Sequence, residues 1–158
     1  MKIEIRRAAV ADIPVIIGLM RDFAEYEKLS EYCSITEAAL ANAMFETSGF
    51  VEGLVAVDGR KMIGYALFYP NFASFRGQLG LYLEDIYVND ADRGKGVGEE
   101  MLKMIARSAR ERGFERIDFQ VLEWNSPAIR FYEKLGAARS DDERHYKFSD
   151  EAFEDLAS

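Results

Sequence analysis

Histidine, cysteine and tryptophan occur once each in this 158-residue chain, and proline three times. Each scarcity removes a class of chemistry. One histidine, His145, cannot build a metal centre out of several imidazoles, so no metal is expected. A Ser-His-Asp hydrolase would have to recruit that same residue without any Gly-x-Ser-x-Gly turn to present its nucleophile. A lone Cys33 cannot close an internal disulfide and suits a reducing compartment, which makes a cytoplasmic location the expected one. Positive charge is in the minority, 20 Lys and Arg against 28 Asp and Glu, for a net charge of -8. A surface of that sign repels nucleic acid and anionic lipid and suits a cationic ligand. The apolar stretch from Val15 to Met20 is far shorter than a membrane span or a cleavable signal requires. Neither nucleic acid nor membrane is therefore an expected partner. Low-complexity runs and fixed-period repeats are lacking too, and with 49% hydrophobic residues the chain reads as one globular domain, 1–158.

What is present concentrates between Asp85 and Gly98. An apolar strand ends there in the alternating glycines Gly94, Gly96 and Gly98, which open a long amphipathic helix. Such a junction suits an anion: glycine lets main-chain N–H groups approach a ligand, and the first helical turn adds unpaired donors and the positive dipole end. Arg93 and Lys95 bring positive charge to the same place. The dinucleotide fingerprint fails, because Glu99 stands where its third glycine belongs. The P-loop fails as well, because Lys95 is followed by Gly96 and not by Ser or Thr. The pattern that fits is Arg-x-x-Gly-x-Gly, carried by Arg93, Gly96 and Gly98. It resembles the pyrophosphate loop of the Gcn5-related N-acetyltransferases, which use acetyl-coenzyme A.

A second motif lies about thirty residues on, in Glu123-Trp124-Asn125-Ser126-Pro127 and the residues to Gly136. Asn125 or Ser126 can cap a helix whose first turn accepts Pro127, and Gly136 stops it. This resembles the family's second motif, in which an Asn contacts the cofactor and a Tyr stands beside the thiolate leaving group. Ile5-Arg6, Asp12, Ala24-Glu25-Tyr26-Glu27, Tyr82-Leu83-Glu84-Asp85, Arg93-Gly94 and Glu123-Trp124-Asn125 narrow the likeness further. They resemble the diamine and thialysine acetyltransferases typified by spermidine/spermine N1-acetyltransferase. The likeness spans nearly the whole chain and departs at Glu143 to Phe148, where that subfamily usually has a Trp in its last strand.

The resemblance implies an α+β acetyltransferase fold, a mixed and mostly antiparallel sheet with splayed central strands and flanking helices. It also implies a homodimer and roles for particular residues. Arg93, Gly94, Lys95, Gly96, Val97 and Gly98 would hold the cofactor's pyrophosphate, and Asn125 would contact the cofactor. Main-chain groups of Ile86 and Val88 would align the pantetheine arm as an extra strand, with the amide near Ile86 donating to the acetyl oxygen. Tyr132 would be the general acid and Glu84, directly or through water, the base. Glu84 and Asp85 would hold the cationic acceptor, with Tyr26 and Glu27 contacting its far end. Adjacent residues serve one site only if the strand is bulged, as the family's splayed strand is. The expected reaction is acetyl transfer to a primary amine of a polyamine, diamine or thialysine-like amino acid. Protein or aminoglycoside acceptors, or an acyl-CoA-binding module without catalysis, remain the alternatives.

Periodicity predicts strands at Lys2 to Arg7, Phe50 to Val57 and Lys61 to Phe68, the last two joined by Asp58-Gly59, and further strands at Gly80 to Val88 and Ile117 to Leu122. Helices are predicted over Ala11 to Tyr26, from Thr36 to Phe45, over Gly96 to Arg112 and after Pro127. Asn71 to Gln78 reads as a loop, Ala137 and His145 to Phe148 as the last strand or hairpin and Asp150 to Leu156 as a short terminal helix.

Overall fold

The computed structural model describes residues 2–158, which fall into two compact units, one ending at Gln120 and the other Val121–Ser158. The first unit carries a five-stranded sheet: β1 (Ile3–Arg7), β2 (Glu52–Asp58), β3 (Lys61–Ala73), β4 (Gln78–Val88) and β5 (Arg116–Phe119). The strands lie in chain order, antiparallel throughout except for the parallel pair β4 and β5. That last pairing is short. It joins Gly80–Leu83 to Arg116–Phe119, while β4 runs on to Val88, so the two strands part company beyond Leu83.

Helix α1 (Ile13–Tyr26) follows from apolar residues at helical spacing, with Ile13, Ile16, Ile17 and Leu19 buried and Val15 on the exposed side. Its entry is fixed by Asp12, which accepts from Arg6 at 2.7 and 2.9 Å and from the Ala9 amide at 2.7 Å. Lys28, at a left-handed φ of 61°, turns the chain away just after its end. Helix α2 (Glu37–Phe45) starts where Thr36 accepts from the Ala39 amide. Together α1 and α2 cover the sheet face that carries Val55, Tyr65, Leu67 and Tyr87, forming the main core. Truncating a core residue such as Ile16 to alanine costs about 2–5 kcal/mol. Helix α3 (Val97–Glu111) buries Val97, Met101, Ile105 and Ala109, and Met101 reaches Gly64, whose position alternates with that of Tyr65. It therefore lies on the other face of the sheet.

Three expectations are corrected. Asn71–Ala73 is strand, paired with Gln78–Gly80, because the β3–β4 ladder continues through polar residues and turns only at 74–77. The β2–β3 turn is Gly59-Arg60, since Asp58 pairs directly with Lys61. In the second unit no strand forms at His145–Phe148: the alternation is there, but no ladder meets it, and Tyr146 and Phe148 are exposed. The splay falls between β4 and β5, the parallel pair of the sheet. The second unit consists of helices α4 (Ser126–Lys134) and α5 (Asp150–Ala157) and the segments joining them.

Candidate active site

β4 does not keep a regular register with β3. Leu67 faces Asp85 but its neighbour Phe68 faces Leu83, so Glu84 is one residue more than β3 can match. This bulge resets the alternation, and Glu84 and Asp85 come to share the face occupied by Tyr65 and Tyr69 of β3. Each acid meets one phenol. The Tyr69 hydroxyl donates to Glu84 Oε2 at 3.2 Å and the Tyr65 hydroxyl to Asp85 Oδ2 at 2.8 Å. Glu84 is exposed and Asp85 half-buried. Burial pushes the Asp85 carboxyl up to about 6; the Tyr65 hydrogen bond pulls against that rise and the charge of Glu84 adds to it. Burial, followed by the neighbouring carboxylates, also raises Tyr69 to about 12 and Tyr65 well above the ordinary tyrosine value. Both phenols are thus donors at neutral pH.

These acids open onto a cavity of about 580 Å³ between the sheet and the α1–α2 layer. Met20, Phe23, Leu29 and Ile35 give it apolar walls, and Glu27, Glu84 and Asp85 give it negative charge. No lysine or arginine lines it. A small molecule with an apolar stem and a cationic end matches that lining. Tyr26, expected beside Glu27 at the acceptor, does not line this cavity; its ring sits 4.4 Å under the Arg93 guanidinium, which also approaches Tyr87 at 5.6 Å. Asp118 on β5 is clasped by Arg116 at 2.7 Å and accepts from Asn71 at 3.0 Å. Those partners hold its carboxyl below the ordinary value.

The loop after β4 makes a short 3-10 turn at Asp90–Asp92 and then passes Gly94 and Gly96 at φ of 79° and 80°. Left-handed backbone there requires glycine or a strained substitute, and a Cβ built on either would meet nothing within 4 Å. The space above the loop is open. Gly96 caps α3 with no side chain, and the helix's first bond runs from the Glu100 amide to the Gly96 carbonyl at 3.0 Å. The donors ahead of it, on Val97 and Gly98, sit at the helix's open end. Arg93 and Lys95 are engaged: Arg93 donates to the Val88 carbonyl at 3.1 Å, and Lys95 lies 2.9 Å from Asp92, whose other oxygen is 3.6 Å from Lys61. Beyond the splay, the Ile86 and Val88 main chain forms the margin of β4 that leads into this loop. The residues fit an anion and an extended arm.

In the second unit Asn125 is buried and accepts from the Ala128 amide at 3.4 Å, capping α4 with Pro127 in its first turn. Tyr132 packs edge-on against Phe131 at 5.1 Å, and Gly136, at φ 99°, ends the helix. Trp124, just ahead of the Asn125 cap, is 45% exposed.

Residues 18–137 match the family model described as the Acetyltransferase (GNAT) family. The chain belongs to this family. Among curated GNAT relatives, the thialysine N-epsilon-acetyltransferase of Bos taurus is 35% identical, over 98% of this chain and 97% of that protein. The L-ornithine N5-acetyltransferase of Arabidopsis thaliana is 28% identical over 85% of this chain and 78% of its own length. Among solved structures, an integron cassette protein of V. cholerae superposes with a TM-score of 0.83 at 25% identity, covering 99% of this chain and 98% of that one. Sequence reasoning about this GNAT chain overlooked Tyr65 and Tyr69. A tyrosine in an apolar strand reads as core, and only the β3–β4 register shows which acid its hydroxyl reaches.

Proposed function

We propose that this acetyltransferase moves the acetyl group of acetyl-CoA to a primary amine of a small cationic acceptor, a polyamine, diamine or amino acid with a terminal amine. The observation that carries the reading is the bulge that turns Glu84 and Asp85 together into a cavity lined by acids and apolar groups. The names of the curated relatives support it, since thialysine Nε and ornithine N5 are side-chain amines.

The acceptor's apolar stem lies along Met20, Phe23 and Leu29, with its reacting nitrogen at Glu84 and Asp85 and a distal charge at Glu27. An ammonium of ordinary pKa near 10.4 must lose a proton before it attacks. The apolar walls lower that pKa by desolvation, and the acidic pair receives the proton. The nitrogen attacks the acetyl carbon, the carbonyl oxygen draws charge toward the amide near Ile86, and the C–S bond breaks. Such a donor is worth about 3 kcal/mol at the transition state. Tyr132 supplies the proton to the departing sulfur. The Arg93–Gly98 loop takes the pyrophosphate, Val88 aligns the pantetheine arm and Asn125 contacts the cofactor.

The reading extends to a homodimer in the cytoplasm that binds neither nucleic acid nor membrane. Its supports are the unpaired Cys33, the net charge of -8, and the exposed Phe72, Phe75 and Leu79 on the β3–β4 hairpin. Among the described residues no helix is long and apolar enough to cross a membrane.

A panel of diamines, amino acids, peptides and aminoglycosides with acetyl-CoA, followed by thiol release, tests the reaction. Compact cations should be acetylated fastest; preference for peptides or bulky amines would overturn the acceptor assignment. Tyr132→Phe should lower turnover by about 10² to 10⁴ with little change in Tm.

A further inference from the structure

We propose that Asp85 is the group of the acidic pair that takes the acceptor's proton, and that Tyr65 is a positioning residue that orients it. This rests on the amine-acetylation reading above. The bulge sets the two acids apart although they are neighbours in sequence: Glu84 is exposed and meets Tyr69 at 3.2 Å, while Asp85 is half-buried and meets Tyr65 at 2.8 Å. An exposed carboxylate attracts a cation but remains a weak base in water. A desolvated carboxyl beside the cavity is a stronger one, and burial lifts Asp85 to about 6, close to the pH at which it must work.

Tyr65 has no solvent exposure, so its hydroxyl must find a partner inside the protein. It uses Asp85 Oδ2, which fixes the plane of the carboxylate and leaves Oδ1 as the oxygen for a substrate proton. The charged and titratable groups around the pair are Glu84 on the same strand, Glu27 at the end of α1, and Cys33 in the segment after it. None is a cation. Charge near Asp85 therefore raises its proton affinity, and only the Tyr65 phenol lowers it. In the reaction the acceptor ammonium first gives one N–H proton to Asp85 Oδ1, and the neutral amine then forms its bond to the acetyl carbon. The C–S electrons leave on sulfur, which takes a proton from Tyr132, and the second N–H proton of the new amide nitrogen makes good the one Tyr132 gave. Asp85 then returns its proton to solvent through the cavity.

The test is the acidic limb of kcat/KM for the amine in the parent, Tyr65→Phe and Glu84→Gln proteins, alongside a carbon-13 carboxyl titration of Asp85 without substrate. Tyr65→Phe keeps the ring and removes one donor, so both the limb and the Asp85 titration should move toward alkaline pH by about one unit. Glu84→Gln should move both toward acid, because it removes a neighbouring negative charge. If Glu84 is the base, Glu84→Gln abolishes the limb and Tyr65→Phe leaves it in place, which overturns the assignment. A parent that releases no thiol with any amine overturns the acetylation reading and this one together. A parent that turns over with a limb indifferent to Tyr65→Phe sinks this one alone.

Discussion

Asp85 and Asp118 stand on neighbouring strands, one past the splay of β4 and β5 and one within their paired stretch, and the chain treats them in opposite ways. Asp118 has a guanidinium and an amide arranged around it, and its carboxyl titrates below the ordinary range. Asp85 has a single phenol and titrates well above it. Asp12 and Asp92 resemble Asp118: Arg6 holds the first at a helix entry, Lys95 the second in the glycine loop, and both are shifted down. An acid given a cation by its own chain is a structural part. An acid placed in a cavity without one is waiting for a cation from outside.

Asp85→Asn is the strongest way to break that contrast. Turnover should fall by about 10² to 10⁴ if Asp85 takes the proton. Stability should change in the favourable direction. Because the folded carboxyl titrates near 6, above its unfolded value, the native state loses stability as pH rises from about 4 to 6, a loss of about 3 kcal/mol that persists above pH 6. Calorimetric melts should show the variant above the parent at pH 8 and level with it at pH 4. A variant less stable at pH 8 would mean that Asp85 is a structural acid after all.

Gly96→Asp places a carboxylate where Lys95 and Arg93 are already engaged by the chain and an anion is expected. The left-handed backbone costs about 1 kcal/mol in an Asp, so the fold should survive. Acetyl-CoA binding, read by titration calorimetry, should weaken well over tenfold, and unchanged affinity would dismiss the loop as the pyrophosphate site.

Asp12→Asn sharpens the other side of the contrast. It removes a nearly buried partner of Arg6 and should cost about 2 kcal/mol at pH 7. The Arg6 bond holds Asp12 below its unfolded pKa, so its contribution is present above about pH 4 and lost as pH falls through the folded value. Denaturant curves of parent and variant should converge in acid. Asp118→Asn should give the smallest loss, about 1 kcal/mol after solvent screening of its partly exposed pair, with the same sign.

Much of this was legible in the chain because local chemistry decided it. Thr36 capping α2, Asn125 capping α4, and Gly113 and Gly136 ending their helices all follow from residues within a few positions. The features that went unread depend on residues far apart. The ladder through Asn71–Ala73 rests on the Gln78–Gly80 strand and is reinforced by Asn71 donating to Asp118, against the polar character of the segment itself. The Tyr146 and Phe148 alternation promised a strand, but a strand exists only with a partner for its main chain. The acids were visible at Glu84 and Asp85, and the need for a bulge with them. Their unequal environments were not, because Tyr65 and Tyr69 are chosen by register.

The unmatched residue in β4 also decides what kind of sequence change this site can absorb. A substitution at Glu84 alters one side chain and leaves the count of residues between Gly80 and Val88 intact. Deleting it would let β3 and β4 run in unbroken register, with Asp85 still opposite Leu67 and alone on the cavity face. The sheet would be more regular and the pair of acids would be gone. Length, and not composition alone, is therefore the inherited specification of this strand, and a lineage that drifts freely in residue identity here should hold its insertions and deletions to zero.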